Sequence, residues 1–215
     1  MHTSVYNLEK IKKEINNPKI SIIAVSKTFG VDKILPLLHY GHLNFGENKI
    51  QEAEKKWSKI KSQFPLVKLH MIGKLQTNKV KHAVKLFDFI HSVDNLKLAN
   101  KIKSEQEKID RKIKIFIQVN IGNENQKNGI LETELNDFYN HISRDLNLDV
   151  VGLMCIPPLN NQPEKYFRII KQLNKKFNFH NLSMGMSSDY LTAIKFGATH
   201  IRVGTKIFGI RDKTS

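Results

Sequence analysis

Eight short apolar runs, separated by stretches of helical periodicity, constrain the fold of this chain more than any other feature. The runs span 20–25 (ISIIAV), 42–45 (HLNF), 66–72 (LVKLHMI), 87–93 (FDFIHSV), 113–119 (IKIFIQV), 150–156 (VVGLMCI), 182–186 (LSMGM) and 200–203 (HIRV). Several are β-branched and almost continuously apolar, as strands covered on both faces of a parallel sheet must be. The intervening stretches, such as 48–63 and 95–110, place apolar residues at helical spacing with Lys, Glu and Gln elsewhere, which predicts helices with solvated outer faces. Regular alternation implies right-handed crossovers and one parallel sheet. Eight units predict a single-domain (β/α)8 TIM barrel over 1–215, α/β in class, with a doubly wound open sheet as the alternative. At 215 residues the chain is short against the ~250 typical of such barrels, so its loops must be lean. A further amphipathic segment over 3–15 predicts an extra N-terminal helix that caps the barrel bottom or flanks it. Pro157, Pro158, Asn160, Asn161 and Pro163 mark an ordinary loop.

Charge is the loudest compositional feature. Lys plus Arg is 35 against 20 for Asp plus Glu, a net +15 with a pI near 9.8. Thirty of the cations are Lys and five are Arg, beside 25 Ile and 20 Asn, a bias that AT-rich coding favours whatever the function. Arg is the residue that reads phosphates bidentately, so the excess argues for drift more than for a nucleic-acid binder. The chain has no long apolar span and a polar start, so neither a membrane segment nor a signal peptide is expected, and the expected compartment is the cytoplasm. Cys155 is the only cysteine, which excludes an internal disulfide framework and a thiolate metal cluster. His39 and His42 lack partner carboxylates, and no metal site is expected. Cys155 and Trp57 read as core residues, the latter on a Lys-rich helix (Lys55, Lys56, Lys59, Lys61).

In a barrel, chemistry sits at the carboxyl ends of the strands. Lys27 follows the unbroken strand Ile22-Ile23-Ala24-Val25-Ser26, which would deliver its amine among low-dielectric walls, where the neutral amine that attacks a carbonyl is favoured. The alternative is a strand-end lysine directed to water. The loops after strands seven and eight carry Gly185-Met186-Ser187-Ser188-Asp189 and Gly204-Thr205, where barrels commonly bind phosphate. Ser187 or Ser188 would also cap a helix starting near Tyr190, and capping alone is the alternative. An aldehyde-reactive lysine beside a phosphate cup points to pyridoxal 5′-phosphate. Arg202, two residues before Gly204, shares its face and could reach the pyridine nitrogen. A guanidinium stays charged and takes no proton from the ring, leaving a weak electron sink; a surface ion pair is the alternative role for Arg202.

The ordered motifs Ala24-Val25-Ser26-Lys27-Thr28, Phe45-Gly46-Glu47-Asn48 with Gln51-Glu52-Ala53, His70-Met71-Ile72-Gly73-Lys74-Leu75-Gln76-Thr77-Asn78-Lys79, His91-Ser92-Val93-Asp94, Gln118-Val119-Asn120, Gly152-Leu153-Met154, Leu182-Ser183-Met184-Gly185-Met186-Ser187 and Arg202-Val203-Gly204-Thr205-Lys206-Ile207-Phe208-Gly209 carry a resemblance. The chain resembles the pyridoxal phosphate homeostasis protein family over most of its length, from about residue 20 to residue 211. Lys74, Thr77 and the loop Gly122-Asn123-Glu124-Asn125 depart from the family pattern. The resemblance implies a barrel similar to the N-terminal domain of alanine racemase. It implies that Lys27 forms the Schiff base with the cofactor, that Arg202 lies near the pyridine nitrogen, and that Ser187, Gly204 and Thr205 hold the phosphate. Asn48 and His70 match motif positions lining the pocket.

The resemblance also implies a regulator of vitamin B6 and amino-acid balance, with no catalytic residue assigned. Racemisation needs a second acid or base opposite the lysine, and in the racemases a tyrosine from a second domain of the partner subunit supplies it. After the last motif, which ends at Gly209, only 210–215 are expected to follow, and of the tyrosines (Tyr6, Tyr40, Tyr139, Tyr166, Tyr190) only Tyr190 is near the site in sequence. The leading expectation is therefore a monomeric pyridoxal phosphate carrier that serves pyridoxal phosphate-dependent apo-enzymes, with no membrane or nucleic-acid partner. The alternatives are a racemase-like enzyme on the same cofactor and an RNA or polyanion-binding module.

Overall fold

The apolar runs become eight parallel strands: β1 (Ser21–Val25), β2 (Asn44–Glu47), β3 (Lys68–Met71), β4 (Phe89–Val93), β5 (Lys114–Gln118), β6 (Asp149–Met154), β7 (Asn181–Met186) and β8 (His200–Val203). Each pairs with the next, and β8 returns to β1 with Ser21 opposite His200 and Ala24 opposite Val203, so the sheet closes. Closure excludes the open doubly wound sheet. This computed structural model describes residues 1–124, 126–158 and 162–210; Asn125, Leu159, Asn160, Asn161 and the tail from Arg211 lie outside the described residues.

The outer layer is built by α1 (Thr3–Ile15), α2 (Val31–His39), α3 (Ile50–Gln63), α4 (Val80–Leu86), α5 (Leu96–Glu107), α6 (Leu135–Asn140), α7 (Pro163–Lys176), α8 (Tyr190–Lys195) and α9 (Thr205–Phe208). These helices cover the outward strand faces, which is why Ile22–Val25 and Ile115–Gln118 are buried without interruption. The extra helix α1 buries Val5, Leu8 and Ile11 on one stripe. It flanks the barrel, packing against α9 and α2, and the Asn7 side chain donates to the Ile207 carbonyl at 3.1 Å. Its C-terminal end reaches the barrel base, where Ile15 and Asn16 line a cavity with Ser21 and Asn44.

The second strand differs most from its sequence expectation. The run 42–45 predicts a strand that stops before Gly46, yet the ladder with β3 continues through Gly46 opposite His70 and Glu47 opposite Met71. Gly and Glu are poor strand formers by propensity, and pairing on both sides overrides that preference. Inside the barrel, rings replace much of the branched aliphatic packing usual there. His70 stacks on Phe89 with centroids 4.3 Å apart, His91 stacks on Phe116 at 4.3 Å, and His200 meets the edge of Phe116 at 5.1 Å.

Candidate functional site

At the carboxyl ends of the strands, a cavity of about 360 Å³ brings together Lys27, Asn48, Ser187, Arg202, Gly204 and Thr205. Apolar walls from Val25, Phe29, Ile72, Ile156 and Met186 surround those groups. The volume falls in the range that suits a small cofactor. Six of the seven predicted site residues therefore converge. The seventh, His70, does not line the cavity: it is wholly buried on β3, within the barrel below the mouth. Among the described residues no cluster of His, Cys, Asp or Glu suits a metal ion.

Lys27 sits in the turn after β1, and the next residue, Thr28, has φ 68°. A left-handed conformation is strained for a β-branched residue and persists only where the surroundings enforce it. The enforcement comes from a buried network that the sequence reading missed. Lys56 Nζ donates to the carbonyls of Ser26 at 2.8 Å and Phe29 at 3.3 Å, so it grips the chain on both sides of Lys27. The same ammonium lies 2.7 Å from Glu47 Oε1 and 2.8 Å from Glu52 Oε1, and Glu52 also accepts the Thr28 amide. Glu47, completely buried, further accepts the Ser26 hydroxyl at 2.8 Å and the Trp57 indole N–H at 3.0 Å. Trp57 is indeed core. Lys56 corrects the reading of its helix as a solvated lysine face, for it is 9% exposed and ion-paired. The Glu52–Lys56 spacing of i, i+4 was the available signal.

The two expected phosphate loops are joined to one another. Gly204 N–H donates to Ser187 Oγ at 3.3 Å, so the Ser187 hydroxyl retains its own proton to donate while the Gly204 amide is engaged. Neither Ser187 nor Ser188 caps α8. The N-cap is Asp189, whose carboxylate turns back to accept the Met186 amide at 2.6 Å. Gly185 permits this turn at φ 90°, and a Cβ there would lie 2.6 Å from the Ala193 methyl.

Arg202, on β8, is 5% exposed. Its NH1 donates to Ser183 Oγ at 2.7 Å and its NH2 to the Cys155 carbonyl at 3.0 Å, both uncharged acceptors. Among the described residues it makes no ion pair, which removes the surface-pair reading. Burial pulls its pKa below the ordinary guanidinium value, with Cys155 and Asp189 opposing that shift. Cys155 is core, and burial pushes its thiol up to about 12. Tyr190 turns away from the mouth: its hydroxyl bonds Glu14 of α1, with Lys206 Nζ at 3.4 Å.

The profile of the alanine racemase N-terminal domain family matches residues 3–212. The pyridoxal phosphate homeostasis protein of Haemophilus influenzae is 33% identical over 226 residues, covering 96% of this chain and 95% of that protein. Among solved structures, PipY of Synechococcus elongatus with pyridoxal phosphate bound superposes with a TM-score of 0.88 at 32% identity, over 96% of this chain and 100% of that one. Alanine racemase of Corynebacterium glutamicum matches with a TM-score of 0.73 at 16% identity, over 99% of this chain and 62% of that one, a likeness of fold alone.

Proposed function

This chain belongs to the alanine racemase N-terminal domain family and, within it, to the pyridoxal phosphate homeostasis proteins, and from that premise we propose how its mouth serves that role. The protein binds pyridoxal 5′-phosphate and takes part in its homeostasis. Lys27 bonds the cofactor through its amine, Ser187 and Thr205 hold the phosphate with the loop of Gly204, Arg202 faces the ring nitrogen, and Asn48 lines the wall.

The observation that carries this reading is the charge of the cavity: it presents Lys27 and Arg202, with no carboxylate among its described lining residues. Burying a cation without an ion-pair partner is costly, so a site that keeps Arg202 in this state is matched to an anionic or lone-pair-bearing ligand. The donor set also fits group by group, with an amine for an aldehyde and hydroxyls for a phosphate. When bound, the cofactor supplies an electrophilic aldehyde carbon and a conjugated ring that can accept electron density.

The chain's own groups favour holding over turnover. Arg202 stays protonated and takes no proton from a ring nitrogen, which limits the ring's pull on electrons. Among the described lining residues Lys27 carries the one amine, and Tyr190 is engaged with Glu14 instead. A one-sided site can keep or deliver its ligand but lacks a second group to move a proton across it. The proposal extends to a cytoplasmic monomer that serves pyridoxal phosphate-dependent apo-enzymes. Among the described residues no helix is long and apolar enough to cross a membrane.

Titration of the purified protein with pyridoxal phosphate tests the reading. A visible absorbance band is expected to develop in the wild type and to be missing in Lys27→Ala. A band of equal strength in both proteins would refute the role of Lys27. Exchange of the alanine α-proton with solvent faster than with free cofactor would overturn the non-catalytic part.

A further inference from the structure

Below the mouth, an unbroken line of buried side chains runs down the barrel from Arg202. Arg202 NH1 lies 2.7 Å from Ser183 Oγ, Ser183 Oγ 2.9 Å from His91 Nδ1, His91 Nε2 3.0 Å from His70 Nδ1, and His70 Nε2 3.1 Å from Asn44 Oδ1. Ser183, His91 and His70 are fully buried, and each imidazole stacks on one ring, His91 on Phe116 and His70 on Phe89. Asn44 at the far end also lines the cavity at the barrel base.

The chemistry of its ends gives this line one direction. A guanidinium can only donate and an amide oxygen can only accept, while a neutral imidazole donates from one nitrogen and accepts at the other. Starting from Asn44 Oδ1, His70 must carry its proton on Nε2 and accept at Nδ1. His91 must then donate from Nε2 and accept at Nδ1, where the Ser183 hydroxyl delivers its proton while its oxygen receives Arg202. Burial pushes both histidines well below their ordinary pKa, in keeping with two neutral rings. Each acceptor in the line meets a donor, and no group in it carries a negative charge.

We propose that Ser183, His91 and His70 are positioning residues for cofactor recognition, fixing the Arg202 guanidinium through a one-way hydrogen-bonded line that itself adds no negative charge beside the cavity. A carboxylate in place of Ser183 would hold the guanidinium as firmly but would neutralise the charge offered to the ligand. The neutral line orients the group at lower electrostatic cost to binding. The inference rests on the reading of the cavity as a pyridoxal phosphate site, but it commits to a state of the ligand-free protein.

The first measurement is long-range ¹⁵N NMR of the histidine side chains in the ligand-free protein. His70 and His91 are expected to be neutral and protonated on Nε2; an Nδ1-protonated or doubly protonated His91 at pH 7 would overturn the proposal. The second is pyridoxal phosphate binding by Ser183→Ala and His91→Gln. Ser183→Ala is expected to weaken binding about tenfold and to shift the visible band, as loss of a charge-assisted hydrogen bond should. His91→Gln, which keeps both a donor and an acceptor, is expected to retain most of the affinity. If Ser183→Ala melts earlier yet binds within twofold of wild type with an unshifted band, the line is structural only and the proposal fails. A wild type that shows the expected tautomers but binds no pyridoxal phosphate would instead refute the preceding functional reading.

Discussion

Replacing Lys56 by Met should expose how the Lys27 turn is held. The ammonium is buried 2.7 Å from Glu47 Oε1, whose side chain is completely inaccessible, and it also supplies the hydrogen bonds to the Ser26 and Phe29 carbonyls. Methionine fills a similar volume but leaves Glu47 charged, buried and supported only by Ser26 and Trp57. Stranding one partner of a buried ion pair costs ~3–5 kcal/mol. For a chain of this size each kcal/mol lowers the melting temperature by ~2–4 °C, so a fall of roughly 6–20 °C is expected in a calorimetric or circular-dichroism melt. The double variant Glu47→Gln with Lys56→Met leaves no buried charge and should recover at least half of that loss. Release of the grip also lets the strained Thr28 relax, so pyridoxal phosphate affinity should fall about tenfold in the single variant. A single variant that melts within ~2 °C of wild type, or a double variant that is worse than the single, would refute this account of the network.

Gly185→Ala should destabilise the protein by about 2 kcal/mol in urea unfolding, because the residue sits at φ 90° and its new methyl would lie 2.6 Å from that of Ala193; an unchanged midpoint would contradict the tight packing of the β7–α8 turn. Arg202→Met removes a buried charge that makes no ion pair among the described residues, so the ligand-free protein should melt within ~2 °C of wild type or higher while pyridoxal phosphate binds at least tenfold more weakly; a large loss of stability with affinity intact would reverse the assigned role. His42 and His200 are held down to about 4 by burial, and His70 and His91 lie well below their ordinary value. In the unfolded chain each takes up a proton near pH 6.5, but in the fold His42 and His200 do so only near pH 4 and His70 and His91 only well below 6.5, so the unfolded state binds more protons through that window. Stability should therefore fall as pH drops from 6.5 to 4, by up to ~1.4 kcal/mol per pH unit for each histidine; a flat urea midpoint across that range would count against four neutral buried rings.

The parts of the fold visible in the sequence are those governed by periodicity. The segment 3–15 has apolar residues on one helical stripe, and α1 occupies those bounds; the near-continuous apolar runs became strands because helices cover one face and the barrel interior the other. The end of β2 was hidden because Gly46 and Glu47 are strand residues by pairing rather than by preference. Lys56 was hidden for a related reason: composition makes a lysine on a lysine-rich helix look solvated, and only the approach of Glu47 from β2 makes it a buried counter-ion. The cavity-lining residues at strand ends could be read from the rule that barrels do their chemistry there. His70 could not be separated from them, since a motif gives the face of a strand but not its depth in the barrel. The capping role that spacing also offers Ser187 or Ser188 falls instead to Asp189, and Ser187 ties two loops together.

The central claim is that one lysine of the thirty bonds the cofactor. Borohydride reduction of the protein with stoichiometric pyridoxal phosphate, followed by peptide mass mapping, tests it directly. The account predicts a phosphopyridoxyl mass increment on the peptide carrying Lys27 and its absence elsewhere at that stoichiometry. Label spread over the surface lysines, or concentrated on any residue other than Lys27, would contradict it.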